Sequence, residues 1–254
     1  MNLLGLTFIL YYIKLGFILN KQEFRDSICL RHGWRIPNTP SFCACGEKNS
    51  IDHSLSCKRG GYIHMRHDHI RNLEAEFMKE VCKDVKIEPG LIPIDNSNTI
   101  NGNTADQSRV DVSGVGVWGP MEKSFIDVRV FHPNAPTYKN KSTRQVYRIH
   151  EQQKKRVYNE RVMQIEKASF TPIVMSTFGG MGDDANKFQK RLAILIAEKK
   201  NQRYEDVLSY MRTRLRFCVL RSTLLSVSGI RGKTKEAEET TPISDLAYNL
   251  MRIE

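Results

Sequence analysis

The sequence lacks the signatures that identify several common enzyme classes. It contains no Ser/His/Asp hydrolase elbow, no glycine motif for binding a nucleotide and no Walker lysine pattern. It also has no internal repeat, no collagen-like tract and no Gln/Asn-rich tract. These absences leave the charge balance, the cysteine spacing and the acidic residues as the informative features.

One glycine-rich stretch could be mistaken for a catalytic motif. FGGMGDDANK, at 178–187, contains Gly-Asp-Asp and several glycines, as a polymerase or a phosphate-binding loop would. It has no Walker lysine, and no Tyr-x-Asp-Asp polymerase signature occurs in the chain. Asp183 or Asp184 is better placed as the N-cap of the following helix. We therefore predict that the stretch serves to start a helix.

The sequence also lacks a regular cysteine framework. Its six cysteines are irregularly spaced, and three of them lie within 15 residues, next to a histidine. This distribution is typical of a reduced protein with a metal site rather than of a secreted disulfide scaffold. We expect an intracellular protein, located in the nucleus or the cytoplasm.

That cluster, CACGEKNSIDHSLSC, has the spacing C-x-C-x7-H-x3-C. Three thiolates and one imidazole complete a tetrahedral zinc site, and a segment this short could hardly fold without the metal. The ligands would be Cys43, Cys45, His53 and Cys57. Because C-x-C is tighter than the usual C-x2-C, cysteines unrelated to a metal are the alternative.

Other histidines and cysteines lie near this cluster or in helical patterns. His64, His67 and His69 follow it and could replace a ligand, but we expect them near the surface of a helix. The remaining cysteines, Cys29, Cys82 and Cys218, are most simply core residues.

The first residues, 1–19, are strongly apolar. Lys14 interrupts the stretch and no small-residue cleavage site follows it, whereas an uninterrupted membrane span takes roughly 20 residues. We expect an appended or partly buried helix. A truncation or gene-model artefact is the second interpretation and a membrane segment the third, so we do not expect a membrane partner.

Basic residues dominate the charge balance. The chain has 39 Lys and Arg against 28 Asp and Glu, which gives a formal net charge of +11 and a pI near 9.4. Nine of the basic residues lie between Lys139 and Lys167, with three glutamates among them. This charge favours nucleic acid as the partner, DNA first and RNA as an open alternative. A solvated helix face would also explain the run.

Apolar periodicity predicts a mixed α/β (α+β) protein. Helices are predicted over 20–33, from Tyr62 to about Asp84, from about Ser142 to Lys167, and as a pair in the last third. Strands are predicted near VKIEP, around Asp111 and Asp127 with a turn at Gly119-Pro120 between them, and at FTPIVMST. The stretch 89–107 has the composition of a long surface loop.

These elements divide the chain into five segments. They are an apolar start at 1–19, a helix plus zinc knuckle at 20–61, an α/β core at 62–180, a helical pair at 181–232 and a polar tail at 233–254.

Two aspartates lie in the predicted hairpin RVDVSGVGVWGPMEKSFIDVRV, at 109–130. Side chains alternate along a strand, so Val110 and Val112 share one side and Asp111 lies on the other. If the valines face the core, Asp111 and Asp127 project from the same face of adjacent strands. Two such carboxylates repel each other, and a divalent cation relieves the repulsion. We predict a Mg²⁺ site.

The alternative for this hairpin needs no metal. Both aspartates are flanked by arginines, Arg109 and Arg129, and cross-strand ion pairs on a water-exposed sheet face would account for them.

The helix after the hairpin carries Glu151, Lys154 or Lys155, and Tyr158 along one stripe. A lysine there could orient an attacking water or neutralise the charge that grows on a phosphate, while a metal polarises it. These groups are what phosphodiester hydrolysis requires. The rest of the basic face could hold the DNA backbone through Arg144, Arg148, Arg156 and Arg161.

Together these motifs resemble a known family. RVDV, FIDVRV and E-x-x-K-K-x-x-Y, preceded by the Cys/His cluster, are similar to the C-terminal region of site-specific non-LTR retrotransposon polyproteins and related retroelement reverse transcriptases. That region joins a zinc knuckle to a restriction-like endonuclease of the PD-(D/E)XK type. The resemblance covers about Phe24 to Gly232 and implies a restriction-endonuclease-like core.

The resemblance implies roles for individual residues. Asp111 and Asp127 take the positions of the two catalytic aspartates, and Lys154 or Lys155 that of the lysine. Two departures are RVD in place of the usual Pro-Asp, and Arg129 where the simple nuclease pattern has lysine. Arginine keeps its charge but cannot share a proton near neutral pH. Since no reverse transcriptase is present, we expect a fragment or descendant of a larger polyprotein.

In the family that the chain resembles, the knuckle helps to grip nucleic acid. The phosphate contacts would come from Lys58, Arg59, Arg66 and Arg71. We expect a magnesium-dependent DNA endonuclease that nicks target DNA. The alternatives are a catalytically inactive, zinc-containing nucleic-acid-binding module and a scaffold whose C-terminal helices bind protein.

Overall fold

The computed structural model describes residues 17–92 and 109–229. Most of the apolar start and of the predicted surface loop, and all of the predicted polar tail, lie outside the described residues. The described residues divide into two compact units, one within Leu55–Thr223 and the other made of 17–54 and 224–229. All four strands belong to the unit Leu55–Thr223.

The described residues form six α-helices, one short 3₁₀ helix and four strands. In chain order they are α1 (Lys21–His32), α2 (Ile51–Ser56), α3 (Tyr62–Val81), β1 (Lys83–Ile87), β2 (Val112–Val115), β3 (Lys123–Phe131), the 3₁₀ helix (Pro136–Tyr138), α4 (Thr143–Gln164), β4 (Ser169–Ser176), α5 (Asp183–Lys200) and α6 (Tyr204–Ser228). The predicted mixed α/β class is confirmed.

Local sequence signals account for the ends of the helices. Asn20 and Glu23 form a capping box at the start of α1, and Gly33 ends that helix in the left-handed conformation, with a φ of 65°. Ser142 and Gln145 form the same box at the start of α4. Such caps contribute about 1 kcal/mol each to the stability of a helix.

The four strands form one sheet in the order β1-β2-β3-β4. The first two pairings are antiparallel, and β3 and β4 are parallel, connected through α4. Pro172 lies within β4, where its missing N–H is tolerated because β4 is an edge strand.

Both faces of the sheet are covered along most of β3 and β4, whereas β1 is largely exposed. On one face, residues such as Ile126 and Val128 pack with α3, α5 and α6. On the other face, Phe125 and Phe170 pack against Val162 of α4. The alternative of a water-exposed aspartate face is therefore wrong for β3, because α4 covers the face that carries Phe125 and Asp127.

Two local predictions differ from the structure. Val110 and Val112 belong to different apolar clusters, because the regular alternation of β2 begins only at Val112. Asp183 and Asp184 occupy the first turn of α5, and the N-cap is Gly182. The carboxylate that accepts from the Asp184 N–H comes instead from Glu151, at 3.0 Å.

Candidate functional site

Asp127 is the buried centre of the candidate site, with its side chain 5% exposed on β3. Val112 of β2 pairs with Ile126 of β3 in an antiparallel register. Asp111 and Asp127 are the next residues along the two chain segments, so they lie opposite each other. Burial, together with the negative charge of Asp111, raises the pKa of Asp127 to about 6, although the charge of Lys154 lowers it. The charge of Asp111 therefore acts on the Asp127 carboxylate.

Asp111 is held in place by both the sheet and α3. It lies just before β2, and its Oδ2 accepts a hydrogen bond of 2.6 Å from the Val128 N–H of β3. The same oxygen lies 3.1 Å from Nε2 of His67 on α3. A backbone donor and an imidazole thus fix one carboxylate oxygen.

The structure separates the two candidate lysines. Lys154 forms an ion pair with Oδ2 of Asp127, and its ammonium group lies 5.7 Å from the centre of the Tyr158 ring. Lys155 pairs instead with Asp184, at 2.7 Å. Lys154 is therefore the lysine that α4 directs to the acidic pair.

Glu151 does not join that group, although it lies on the predicted stripe. Its carboxylate accepts from the N–H of Asp184 at the start of α5, and a Cβ atom at Gly182 would overlap it. Burial raises the pKa of Glu151, with the nearby charge of Asp184 in the same direction. Glu151 is a helix cap rather than part of the site.

Tyr158 lies close enough to both aspartates for their charges to act on it. Burial, with the charges of Asp127 and Asp111, raises the pKa of its phenol to about 12. The phenol therefore stays protonated near neutral pH and can donate a hydrogen bond.

His67 is the member of the site that the sequence pattern missed. Its Nδ1 lies 3.2 Å from Asp68, and its Nε2 contacts Asp111. Burial lowers the pKa of His67, but the hydrogen bonds and charges of Asp111 and Asp68 outweigh burial and raise it. The run MRHDH, at 65–69, shows a histidine next to an acidic residue on a helix. The contact of His67 with Asp111, however, joins residues 44 positions apart, and local spacing does not predict it.

The Cys/His cluster has the geometry of a metal site. The ligand atoms of Cys43, Cys45, His53 and Cys57 all lie within 4.8 Å of one another. Tetrahedral zinc with sulfur ligands separates them by about 3.8 Å, so the four residues fit the ion. All six cysteines of the chain are free of disulfides. Among the described residues, this is the one group of three or more such side chains close enough to hold a metal.

The predicted phosphate-binding residues differ in exposure. Arg66 and Arg161 are buried, so the prediction that they contact phosphate is wrong: Arg66 donates to the Leu55 carbonyl, and Arg161 to the carbonyls of residues 91 and 92. Arg71 is largely buried and pairs with Asp68 and Glu88. The exposed members of the set are Lys58, Arg59, Arg144, Arg148 and Arg156.

Comparisons with known proteins add no family to this description. No family model matches the sequence, and no curated protein matches it. Among the helices of 17–92 and 109–229, none combines the length and the apolar character that a membrane span requires.

Proposed function

We propose that this protein is a metal-dependent DNA endonuclease of the restriction-like type, derived from a retroelement. The observation that carries the proposal is the pair of aspartates on neighbouring strands, with Lys154 of α4 on Asp127. The order α3, three strands, α4, β4 supports it, since it is the order expected for that core. Fold alone does not define an activity, so the side chains of the site are decisive.

Asp111 and Asp127 would hold Mg²⁺. Both offer hard carboxylate oxygens, and magnesium is commonly bound through one or two carboxylates with several waters retained. When bound, the ion supplies positive charge that offsets the charge growing on the phosphate. With a pKa of about 6, Asp127 is mostly ionised at neutral pH and therefore competent to bind a cation.

Lys154 would act on the reacting phosphate. Its ammonium group lies between Asp127 and the Tyr158 ring, so two neighbours restrict its position. From there it can neutralise charge on the phosphate or orient the attacking water. His67 would keep Asp111 oriented through its contact with Oδ2.

The Cys/His group would be a zinc knuckle that contributes to nucleic-acid binding. Lys58 and Arg59 follow its last ligand and are exposed, as phosphate contacts must be. Exposed arginines on α4, including Arg144 and Arg148, would add further backbone contacts.

The second candidate function is a nucleic-acid-binding module without catalysis. One observation favours it: Lys154 pairs with Asp127, and the His67 ring contacts Asp111, so both carboxylates already have partners within the chain. Arg129 also favours the binding module, because it takes the position that lysine has in the simple nuclease pattern and arginine cannot exchange a proton near neutral pH.

A plasmid-nicking assay with and without Mg²⁺ tests the proposal. The parent protein should nick supercoiled DNA only with the metal, and Asp127→Asn and Asp111→Asn should each remove the activity. Asp206→Asn, at an exposed aspartate of α6, is the matched control and should nick normally. Equal nicking by the Asp127→Asn variant would refute the nuclease, and salt-sensitive DNA binding without any nicking would support the binding module instead.

A further inference from the structure

A basic cavity lies beside the candidate site. Its volume is about 370 Å³, and it is lined by Arg129, His150, Gln153, Lys154, Arg156, Val157 and Tyr158. Lys154 and Tyr158 belong both to this cavity and to the surroundings of Asp127. A ligand in the cavity would therefore lie next to the acidic pair.

The charges around the cavity favour an anion. Arg129 and Arg156 are exposed, and neither has an ion-pair partner in the part of the chain that the structure describes. Both guanidinium groups present donors whose planar arrangement matches phosphate oxygens.

A hydrogen-bonded chain orients an additional donor. Tyr138 Oη lies 2.9 Å from Nε2 of His150, and Gln153 Oε1 lies 3.2 Å from its Nδ1. Burial and the charge of Arg129 lower the pKa of His150, so the ring is neutral. A neutral ring that donates from Nδ1 to Gln153 accepts from Tyr138 at Nε2. The Gln153 carbonyl is thereby engaged, and its NH₂ group remains to donate to a ligand.

The remaining wall of the cavity is apolar. Val157 is 65% exposed on α4, and Tyr158 offers a ring. An aliphatic group and an aromatic ring beside phosphate donors suit the sugar and base of a nucleotide, because every base has a face that stacks on an aromatic ring.

We propose that this cavity binds one unpaired nucleotide of a DNA strand, next to the phosphate that is cleaved. Arg129 and Arg156 take the phosphate, the Gln153 NH₂ donates to an acceptor of the nucleotide, and Tyr158 and Val157 pack against the base or sugar. The assignment rests on the proposed nuclease function, which supplies the strand. A cavity of this size is at the low end of small-molecule sites, roughly 300–1,000 Å³, and takes a single nucleotide rather than paired duplex.

Binding of a mononucleotide without divalent metal tests the cavity independently of catalysis. By calorimetry, the full chain should bind dTMP more tightly than thymidine or inorganic phosphate. Arg129→Ala and Gln153→Glu should each weaken dTMP binding about tenfold or more. Arg203→Ala, at an arginine that is 78% exposed outside the cavity, should leave it unchanged. Equal binding of dTMP and phosphate, or an undiminished affinity of the correctly folded Arg129→Ala variant, would overturn the proposal.

A cleavage comparison separates this inference from the function on which it rests. With Mg²⁺, a DNA carrying an unpaired flap should be cut faster than the same duplex without the flap, and Gln153→Glu should remove the difference. Nicking of duplex by a protein that binds no dTMP would refute the cavity and keep the nuclease. Binding of dTMP through Arg129 by a protein that never nicks would keep the cavity and refute the nuclease.

Discussion

Asp127 and Glu74 are both buried carboxyl groups, but their surroundings give them opposite charge states. Asp127 has the ammonium group of Lys154 beside it, and burial raises its pKa only to about 6. Glu74 is fully buried on α3, and the Gln189 amide donates to its oxygens at 2.8 and 2.6 Å. Burial raises the pKa of Glu74 to about 8, although Gln189 lowers it. At neutral pH Asp127 is therefore ionised and Glu74 is protonated.

Glu74 makes the stability of the protein depend on pH. Its pKa is higher in the folded chain than its ordinary value of 4.5, so the folded state binds the proton more tightly. The contribution of Glu74 to the free energy of unfolding should therefore be fully present below pH 4.5 and be lost as the pH rises toward about 8, by about 1.4 kcal/mol per pH unit.

Denaturant unfolding of Glu74→Gln across this range checks the prediction, because glutamine has no proton to lose. The free energy of unfolding of the variant should lack the part of the pH dependence that Glu74 contributes. Glu205→Gln, at a side chain that is 70% exposed, should keep the slope of the parent. Identical slopes for the parent and Glu74→Gln would contradict the assignment.

The two adjacent lysines of α4 should differ in their effect on activity. If Lys154 acts on the phosphate, Lys154→Met should lower the nicking rate about 100-fold or more, which is typical for the loss of one positioned donor. Lys155→Met should nick within a few-fold of the parent and lose at most about 1 kcal/mol of stability, because exposed ion pairs contribute little. Nicking rates and unfolding curves of both variants measure this. Equal loss of activity in the two would contradict the geometric distinction.

Among the helices and strands, helix boundaries were easier to predict from the sequence than contacts between distant residues. The capping boxes at Asn20 and Ser142 and the glycine after α1 are visible in sequence, and α1 and α4 begin where expected. The sequence predicted that Glu151, Lys154 and Tyr158 lie along one side of α4. Spacing along a helix does not show which other residues those side chains contact. Lys154 meets Asp127, whereas Glu151 meets the start of α5.

Zinc should determine whether the segment around α2 folds. Native mass spectrometry should find one zinc ion per chain, and Cys57→Ser should lose it, because the site needs four ligands. The segment 43–57 should then become sensitive to protease, since so short a stretch has little else to stabilise it. Cys82→Ser, at the end of α3, should keep both the zinc and the resistance. A metal-free protein that resists protease there would refute the site.

At the scale of the whole molecule, the net charge of +11 should control affinity for DNA. Each phosphate contact releases counterions, so the logarithm of the affinity should fall linearly with the logarithm of the salt concentration. Removing exposed Arg144 and Arg148 together should make that slope shallower by about two. Fluorescence anisotropy at several salt concentrations measures the slope. The charge-matched pair Lys79→Ala and Lys190→Ala should leave it unchanged, and a parental slope for the arginine variant would contradict the prediction.

The fold class was predictable for the whole molecule, but the environment of its sheet was not. The alternation of apolar and polar residues in β3 suggests that one face of the strand is polar. The order of helices and strands follows from the order of helical and strand-like periodicity along the sequence. Which face α4 covers depends on the crossover from β3 to the parallel strand β4, a feature of chain topology. Arg66 and Arg161 are buried because of how the elements pack in three dimensions, and composition alone does not predict this.

Gly182 provides space rather than backbone freedom. Its φ of −70° is open to every amino acid, but the first side-chain carbon of any other residue would overlap the Glu151 carboxylate. Gly182→Ala should therefore displace the flexible Glu151 side chain and weaken its bond to the Asp184 N–H, which should lower the free energy of unfolding by about 1 kcal/mol. In a Glu151→Ala protein, which has already lost that cap, the same substitution should have a smaller effect on the unfolding curve.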